Sequence, residues 1–311
     1  TGYTQVALAV VVAAPLFALL RLGSDALKGA RAPLEAITLE NLVTPAVLLL
    51  VCGLCWFTGQ PLLITTLLMA GVAGFALAPV GIWASLARRL AHTPGAGSGQ
   101  GSDAFRDHRD QRALWANSIL SIAFLHLPFL VLPWYADPAE IGIYAVAFKL
   151  VSIITTLLML LAAVFGPAFA REAATGDASS VRALLWRTQW ISTVIFLPFM
   201  SVLLLAAGPL ATLFSLTDGV LLPYLLVLAV GHFVNAATGL SGVLLNMVGE
   251  ARLELKTLVG SLLFALALAP LVGPLHGAMG LACLFSAALA AKNLASYGLA
   301  SHFLKTKGTL K

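Results

Sequence analysis

Runs of about 20 apolar residues recur from one end of this chain to the other, and they limit its fold more than any other feature. A helix needs roughly that length to cross about 30 Å of hydrocarbon. Nine stretches reach or approach it: residues 4–20, 44–58, 62–86, 114–135, 141–168, 190–207, 220–237, 255–272 and 277–299. Residues 44–58 are the shortest and sit at the lower edge of what can span. Composition agrees, with 60% hydrophobic residues, 10% charged and a mean hydropathy of +0.96 over 311 residues. Soluble domains carry about 25% charge, so this chain lacks the polar surface to coat a globule in water. Lipid offers no partner for unpaired backbone groups, so the runs must be helices. The expected fold is all-α, a polytopic transmembrane helical bundle of about nine spans. Pro79, Pro128 and Pro198 fall inside spans and predict kinks.

The basic residues orient the bundle. Of the 18 Lys and Arg, all except Lys149 and Lys292 fall in every second connection: 21–43, 87–113, 169–189, 238–254 with its margin, and the C-terminal tail. The alternate connections (59–61, 136–140, 208–219 and 273–276) contain none, and their only charges are Asp137, Glu140 and Asp218. The positive-inside rule then predicts a cytoplasmic C-terminus and an external N-terminus. The basic residues form no stripe interleaved with aromatics, so the sequence pI near 9.3 reflects a membrane surface and not a nucleic-acid partner. All 13 acidic residues are expected in connections or at span ends.

The long polar stretch HTPGAGSGQGSDAFRDHRDQR divides the chain. It predicts an N-terminal lobe of about three spans at 1–91, a cytoplasmic Gly-rich linker at 92–112 and a C-terminal lobe of about six spans at 113–311. Many transporters are built from two repeated halves. Three spans against six, in a chain opening on Thr1 with no signal peptide, therefore read as an incomplete N-lobe.

Within the spans a few polar residues carry the functional question. Lys149 lies about ten residues into the fifth run among Ile, Phe and Val, with no acidic residue within one turn. A cation there costs about 2.5 kcal/mol or more unless it meets water, a partner or an anion. It is read as a cavity lysine. Lys292 is nearer the cytoplasmic end of the last run, where snorkelling competes with a cavity role. His126 and His232 are single histidines in apolar runs, each a packed side chain or a proton-binding group. Asn235 is either a packing amide or a cavity-facing one, while Gly231, Gly239 and Gly242 read as sites of close helix packing. The CxxC of Cys52 and Cys55 lies inside a run without a second ligand pair, so it suggests neither zinc nor redox chemistry. No Walker A motif, metal-spaced histidine pair or Gly-x-Ser-x-Gly elbow occurs, and no cofactor or catalytic residue is expected.

Four segments together carry a resemblance: RLGSDALKGARAPLEAITLENLVTP (21–45), read as a short basic amphipathic helix, EIGIYAVAFKL (140–150), FGPAFAREAATGD (165–177) and GHFVNAATGLSGVLLNMVGEARLELK (231–256). In order and character they resemble the polysaccharide and O-antigen flippases of the multidrug, oligosaccharidyl-lipid and polysaccharide exporter superfamily. The likeness matches spans four to twelve of a twelve-span plan. It implies a transporter, not an enzyme, that moves undecaprenyl-pyrophosphate-linked glycans of lipopolysaccharide or other polysaccharides across the bacterial inner membrane. Alternating access is the implied mechanism, and contact with polysaccharide assembly enzymes is implied too. In such a protein the Lys149 charge suits the carrier's pyrophosphate. Two other readings stand beside it: a cation-coupled multidrug exporter, which wants a membrane-embedded carboxylate, and a membrane glycosyltransferase or polymerase, which wants charged residues on a large outer loop.

Overall fold

A computed structural model describes residues 2–30, 32–91 and 108–306. Most of the linker expected at 92–112, from 92 to 107, lies outside the described residues, as do Lys307 and Lys311. Helix dominates throughout, and no strand occurs among the described residues. The chain forms two compact units, one within Thr1–Gly101 and one within Ser102–Lys311.

The first unit holds α1 (Gly2–Gly29), α2 (Pro33–Thr58) and α3 (Ile64–Ala91). The short basic helix expected between the first two spans does not form. Residues 21–29 continue α1 and residues 33–45 begin α2, so the second span is a full 26-residue helix and not a marginal one. The physical reason is a carboxylate. Glu40 of α2 is ion-paired with Arg21 and Lys28 of α1 and accepts a 2.5 Å hydrogen bond from the Ser24 hydroxyl. These three α1 donors lie on one face at helical spacing, so both helices extend past the apolar runs with their charges satisfied. Glu35, at the start of α2, accepts from Ser85 of α3 and pairs with Arg89 at 2.6 Å. Leu20, Leu27, Ala78 and Ile82 form the buried centre.

The second unit holds α4 (His108–Val131), α5 (Pro138–Ala174), α6 (Ala178–Leu205), α7 (Ala207–Leu213), α8 (Leu221–Ala237), α9 (Ser241–Met247) and α10 (Ala251–Thr306). A 3-10 turn, Leu132–Trp134, follows α4. Helix starts are capped in the expected chemistry. The Asp137 carboxylate accepts from the Glu140 amide at 2.9 Å to open α5. Asp177 accepts from the Ser180 and Ser179 hydroxyls, both at 2.7 Å, and from the Ser179 amide at 2.8 Å to open α6. Those hydroxyls and that amide hold the Asp177 carboxyl down at about 2. Its cap is therefore present above the ordinary carboxyl range and is lost only as pH falls through about 2.

Seven helices are long and apolar enough to cross a membrane, and α8 with α9, bent by 42°, make an eighth broken span. The 56 residues of α10 would extend about 84 Å, more than twice a hydrocarbon core. It is two spans. Gly277, at φ 54° and ψ −146°, interrupts the helix, and side chains near its two ends meet: Ser296 donates to Glu254 at 2.7 Å. The arms 251–276 and 278–306 thus run antiparallel, which brings the described spans to the expected nine. Pro79, Pro128 and Pro198 all sit inside continuous helices, which they do not break, and the interruptions of α8–α9 and α10 carry glycines at positive φ, Gly239 and Gly277.

Tyr144, Ile154, Phe196, Leu225 and Leu281 pack the centre of this unit, and Phe169, Val181, Leu244 and Ala300 a second cluster toward the basic ends. Large apolar side chains such as Leu49, Leu130, Val202 and Leu271 point outward, as a chain surrounded by lipid requires. Gly231 shows why α8 needs a small residue. A Cβ there would lie 2.8 Å from the Ser286 carbonyl oxygen, and the Gly231 amide donates to the Ser286 hydroxyl at 3.0 Å. Gly231→Val should separate α8 from α10 and cost about 1–3 kcal/mol, read as a lowered unfolding midpoint in detergent. Ala substituted at Gly260, which meets open space, should leave the midpoint nearly unchanged.

Candidate functional site

The polar residues singled out in the sequence separate into three settings within the second unit. The first is a small, partly open cavity lined by α4, α5, α8 and α10, with a volume of about 80 Å³. Its wall is mainly aromatic and aliphatic, including Tyr144, Phe148 and Phe285, with Thr155, His232, Asn235 and Ser286 as its polar members. His232 is buried, and its Nδ1 lies 3.4 Å from the Thr155 hydroxyl. At about 30 Å³ per water this space takes two or three waters and no sugar or prenyl group. The fold thus brings His232 and Asn235 together, one turn apart on α8.

The second setting is the neighbouring face of α5. Lys149 is exposed and lies 11 residues after Pro138, about 17 Å into the helix. Ser152 and Thr156 follow at three and seven residues, on the same face. Their hydroxyls donate to the Lys149 and Ser152 carbonyls at 2.7 and 3.2 Å. Thr155 sits at the edge of this stripe and also lines the cavity, so it joins the two settings. Among the described residues no carboxylate pairs with Lys149.

The third setting holds Lys292, which is not an isolated cation. It forms an ion pair with Glu254, whose carboxylate is buried and also accepts from Ser296 at 2.7 Å and Thr257 at 3.4 Å. Gly242 of α9 packs directly on that carboxylate, leaving no room for a Cβ. Glu35, Glu40 and Glu254 are each held by a Lys or Arg; Glu35 and Glu254 sit in the first turns of α2 and α10, at span ends as expected, whereas Glu40 lies about two turns into α2. The sequence conceals the pair of Glu254 and Lys292 because its members are 38 residues apart, on two arms of a hairpin not visible in composition.

His126 joins none of these. It is exposed on α4 at helical spacing from Trp115, Ile119, Ile122 and Leu130, an apolar stripe turned outward. Asn117 and Asn246 instead pair with each other at 3.0 Å, and Asn117 also donates to the Ala251 carbonyl at 2.9 Å, tying α4 to the end of α9 and the start of α10. Cys52 and Cys55 are free thiols, and no cluster of metal-ligating side chains occurs among the described residues. Sequence reasoning missed Ser152, Thr155, Thr156 and Glu254. Spacing of three and seven residues from Lys149 was the available signal for two of them.

Residues 111–218 match the family model described as "Polysaccharide biosynthesis protein". That segment contains His126, Lys149 and the whole polar stripe, and the match agrees at superfamily level with the resemblance to polysaccharide flippases. No curated protein and no solved structure matches the chain. A polytopic helical membrane protein with a segment similar to polysaccharide biosynthesis proteins is the common ground of sequence, fold and comparison.

The buried pair makes a double-mutant prediction. Lys292→Met alone strands the Glu254 charge and should destabilise the protein by about 3–5 kcal/mol. Adding Glu254→Gln should recover most of that loss. Unfolding midpoints of the four combinations in detergent give the coupling, and simple additivity would contradict it.

Proposed function

We propose that the chain is a transporter of lipid-linked oligosaccharide or polysaccharide precursors, flipping them across the bacterial inner membrane by alternating access. The observation that carries this reading is the contrast between the two intramembrane lysines. Lys292 is neutralised by Glu254, whereas Lys149, on an exposed polar stripe of α5, has no carboxylate partner among the described residues. An unpaired cation at that depth favours an anionic ligand, and the pyrophosphate of an undecaprenyl carrier supplies one. The family segment at 111–218 supports the same chemistry.

A multidrug exporter moving cations would need a free carboxylate in the membrane. Glu35, Glu40 and Glu254 are each engaged by a basic side chain, which leaves them poorly suited to that task. A glycosyltransferase or polymerase finds little support either, since the outer connections are short and carry only Asp137, Glu140 and Asp218 as charges. The work is conformational and requires no covalent step. The basic connections favour a cytoplasmic C-terminus. Its partners are the lipid carrier, the bilayer and the enzymes that assemble the glycan.

Translocation of a fluorescent undecaprenyl-pyrophosphate oligosaccharide by the full-length protein in proteoliposomes tests the reading. Lys149→Ala should fold yet lose at least about tenfold in rate, the order expected when a charge-assisted contact of about 1.5–3 kcal/mol disappears. Lys149→Arg should retain much of it. Equal rates for wild type and the alanine variant would move the anion away from α5. Export of a cationic dye with no movement of the lipid would favour the multidrug reading.

A further inference from the structure

His232 is a buried histidine beside the Lys149-bearing helix, and no charged side chain lines the cavity it shares with Thr155. From α5 it faces Thr155 and Tyr144, and Lys149 lies six residues before Thr155, about 9 Å along the helix. From α10 it faces Ser286, whose hydroxyl is committed to the Val227 carbonyl at 2.6 Å. Farther along that arm Lys292 is already neutralised by Glu254. α4 supplies Phe124, Leu125 and Pro128 to the cavity wall, and α6 places Phe196 against Phe233. No carboxylate faces the imidazole from any of these helices among the described residues. With Nδ1 directed at Thr155, the other ring nitrogen has no protein partner among the described residues, and the cavity beside it has room for two or three waters.

An imidazolium at this position would have no counter-charge among the described residues, and the like charge of Lys149 on the same helix as Thr155 would disfavour it further. A doubly charged anion on the stripe reverses the sign of the local field and supplies the missing counter-charge. We propose that His232 is a proton site linked to anion binding at the Lys149 stripe: the imidazole takes a proton from the solvent, relayed by cavity water, when the anion binds and returns it by the same route when the anion leaves. This rests on the anion reading of Lys149 given above. By linkage the effect is reciprocal, so lowering the pH tightens anion binding while His232 titrates, by at most tenfold per pH unit for one proton. Thr155 is a positioning residue, since it orients the ring from the helix that carries the anion.

The test uses full-length protein in nanodiscs and a short-chain prenyl pyrophosphoryl-N-acetylglucosamine. Each phosphorus of this probe carries one ester and one anhydride bond and keeps a single strongly acidic hydroxyl, so the probe does not itself titrate between about pH 5.5 and about pH 8. Calorimetry in buffers of different ionisation enthalpy counts the protons taken up per probe bound. Wild type should take up a substantial fraction of one proton, approaching one where the free protein is deprotonated and the complex protonated. His232→Gln should bind with that uptake abolished and with a flatter pH dependence. Uptake of the same size in His232→Gln would overturn the assignment to His232. Should that variant not fold, wild type alone decides: binding without proton uptake and with pH-independent affinity overturns the linkage. Absence of any probe binding by folded wild type would overturn the anion reading itself, and this inference with it, and is distinct from binding without protons.

Discussion

Hydrocarbon will not solvate a charge or an unpaired hydrogen-bonding group, and each polar feature of this chain is arranged around that constraint. Carboxylates inside apolar helices would be untenable alone. Glu40 is held by Arg21 and Lys28, Glu35 by Arg89, and Glu254 by Lys292 with two hydroxyls besides. Each pair also does structural work, because its members sit on different helices or on different arms of α10. Replacing a buried pair by apolar residues can be neutral, whereas removing one partner is costly. The pairs therefore specify which helix lies against which, more than they add to overall stability.

The same constraint explains the backbone. α8 ends where Gly239 adopts φ +62°, and its last turn is satisfied locally, with the Thr238 hydroxyl on the Val234 carbonyl at 2.9 Å and the Ser241 hydroxyl on the Thr238 carbonyl at 2.6 Å. Gln189 of α6 approaches the same carbonyl at 3.5 Å. A broken span is tolerated at membrane depth only where other protein groups cover the freed carbonyls, and here α6 and the α9 start provide them. Gly277 does the equivalent for the α10 hairpin, at a φ that side chains with a Cβ rarely adopt.

Hydrophobic runs and the spacing of basic residues were enough to read nine spans, because both follow from the cost of moving polar atoms into lipid, which every residue in a run reports independently. The packing value of Gly231 and Gly242 was legible for a related reason, since small residues one turn apart mark close approach. Pairings across helices were not. Glu40 with Arg21, Glu254 with Lys292 and Asn117 with Asn246 join positions from 19 to 129 residues apart, and nothing in composition ties them. His126 and His232 look alike in sequence, each alone in an apolar run. Only the rotation of α4 and α8 about their axes, fixed by packing, turns one outward and the other into the cavity.

The identity of the cation on α5 matters for the proposed anion contact. An Arg at position 149 would grip a phosphate through two parallel hydrogen bonds in a fixed plane, whereas Lys acts as a point charge on a flexible stem. A transporter must release what it binds, and a site that is too good becomes a trap. The stripe provides one point charge flanked by Ser152 and Thr156 hydroxyls that already donate to their own helix backbone. Those hydroxyls can accept a hydrogen bond from water without competing strongly for the anion. The tight interactions are those of Glu254, Glu40 and the Asn117 amide, where helices must stay together, and among the described residues no carboxylate holds the Lys149 ammonium in the middle of α5. That division, between firm pairs at the helix contacts and a lysine with no carboxylate partner among the described residues, is what the reversible anion handling proposed for this chain would require.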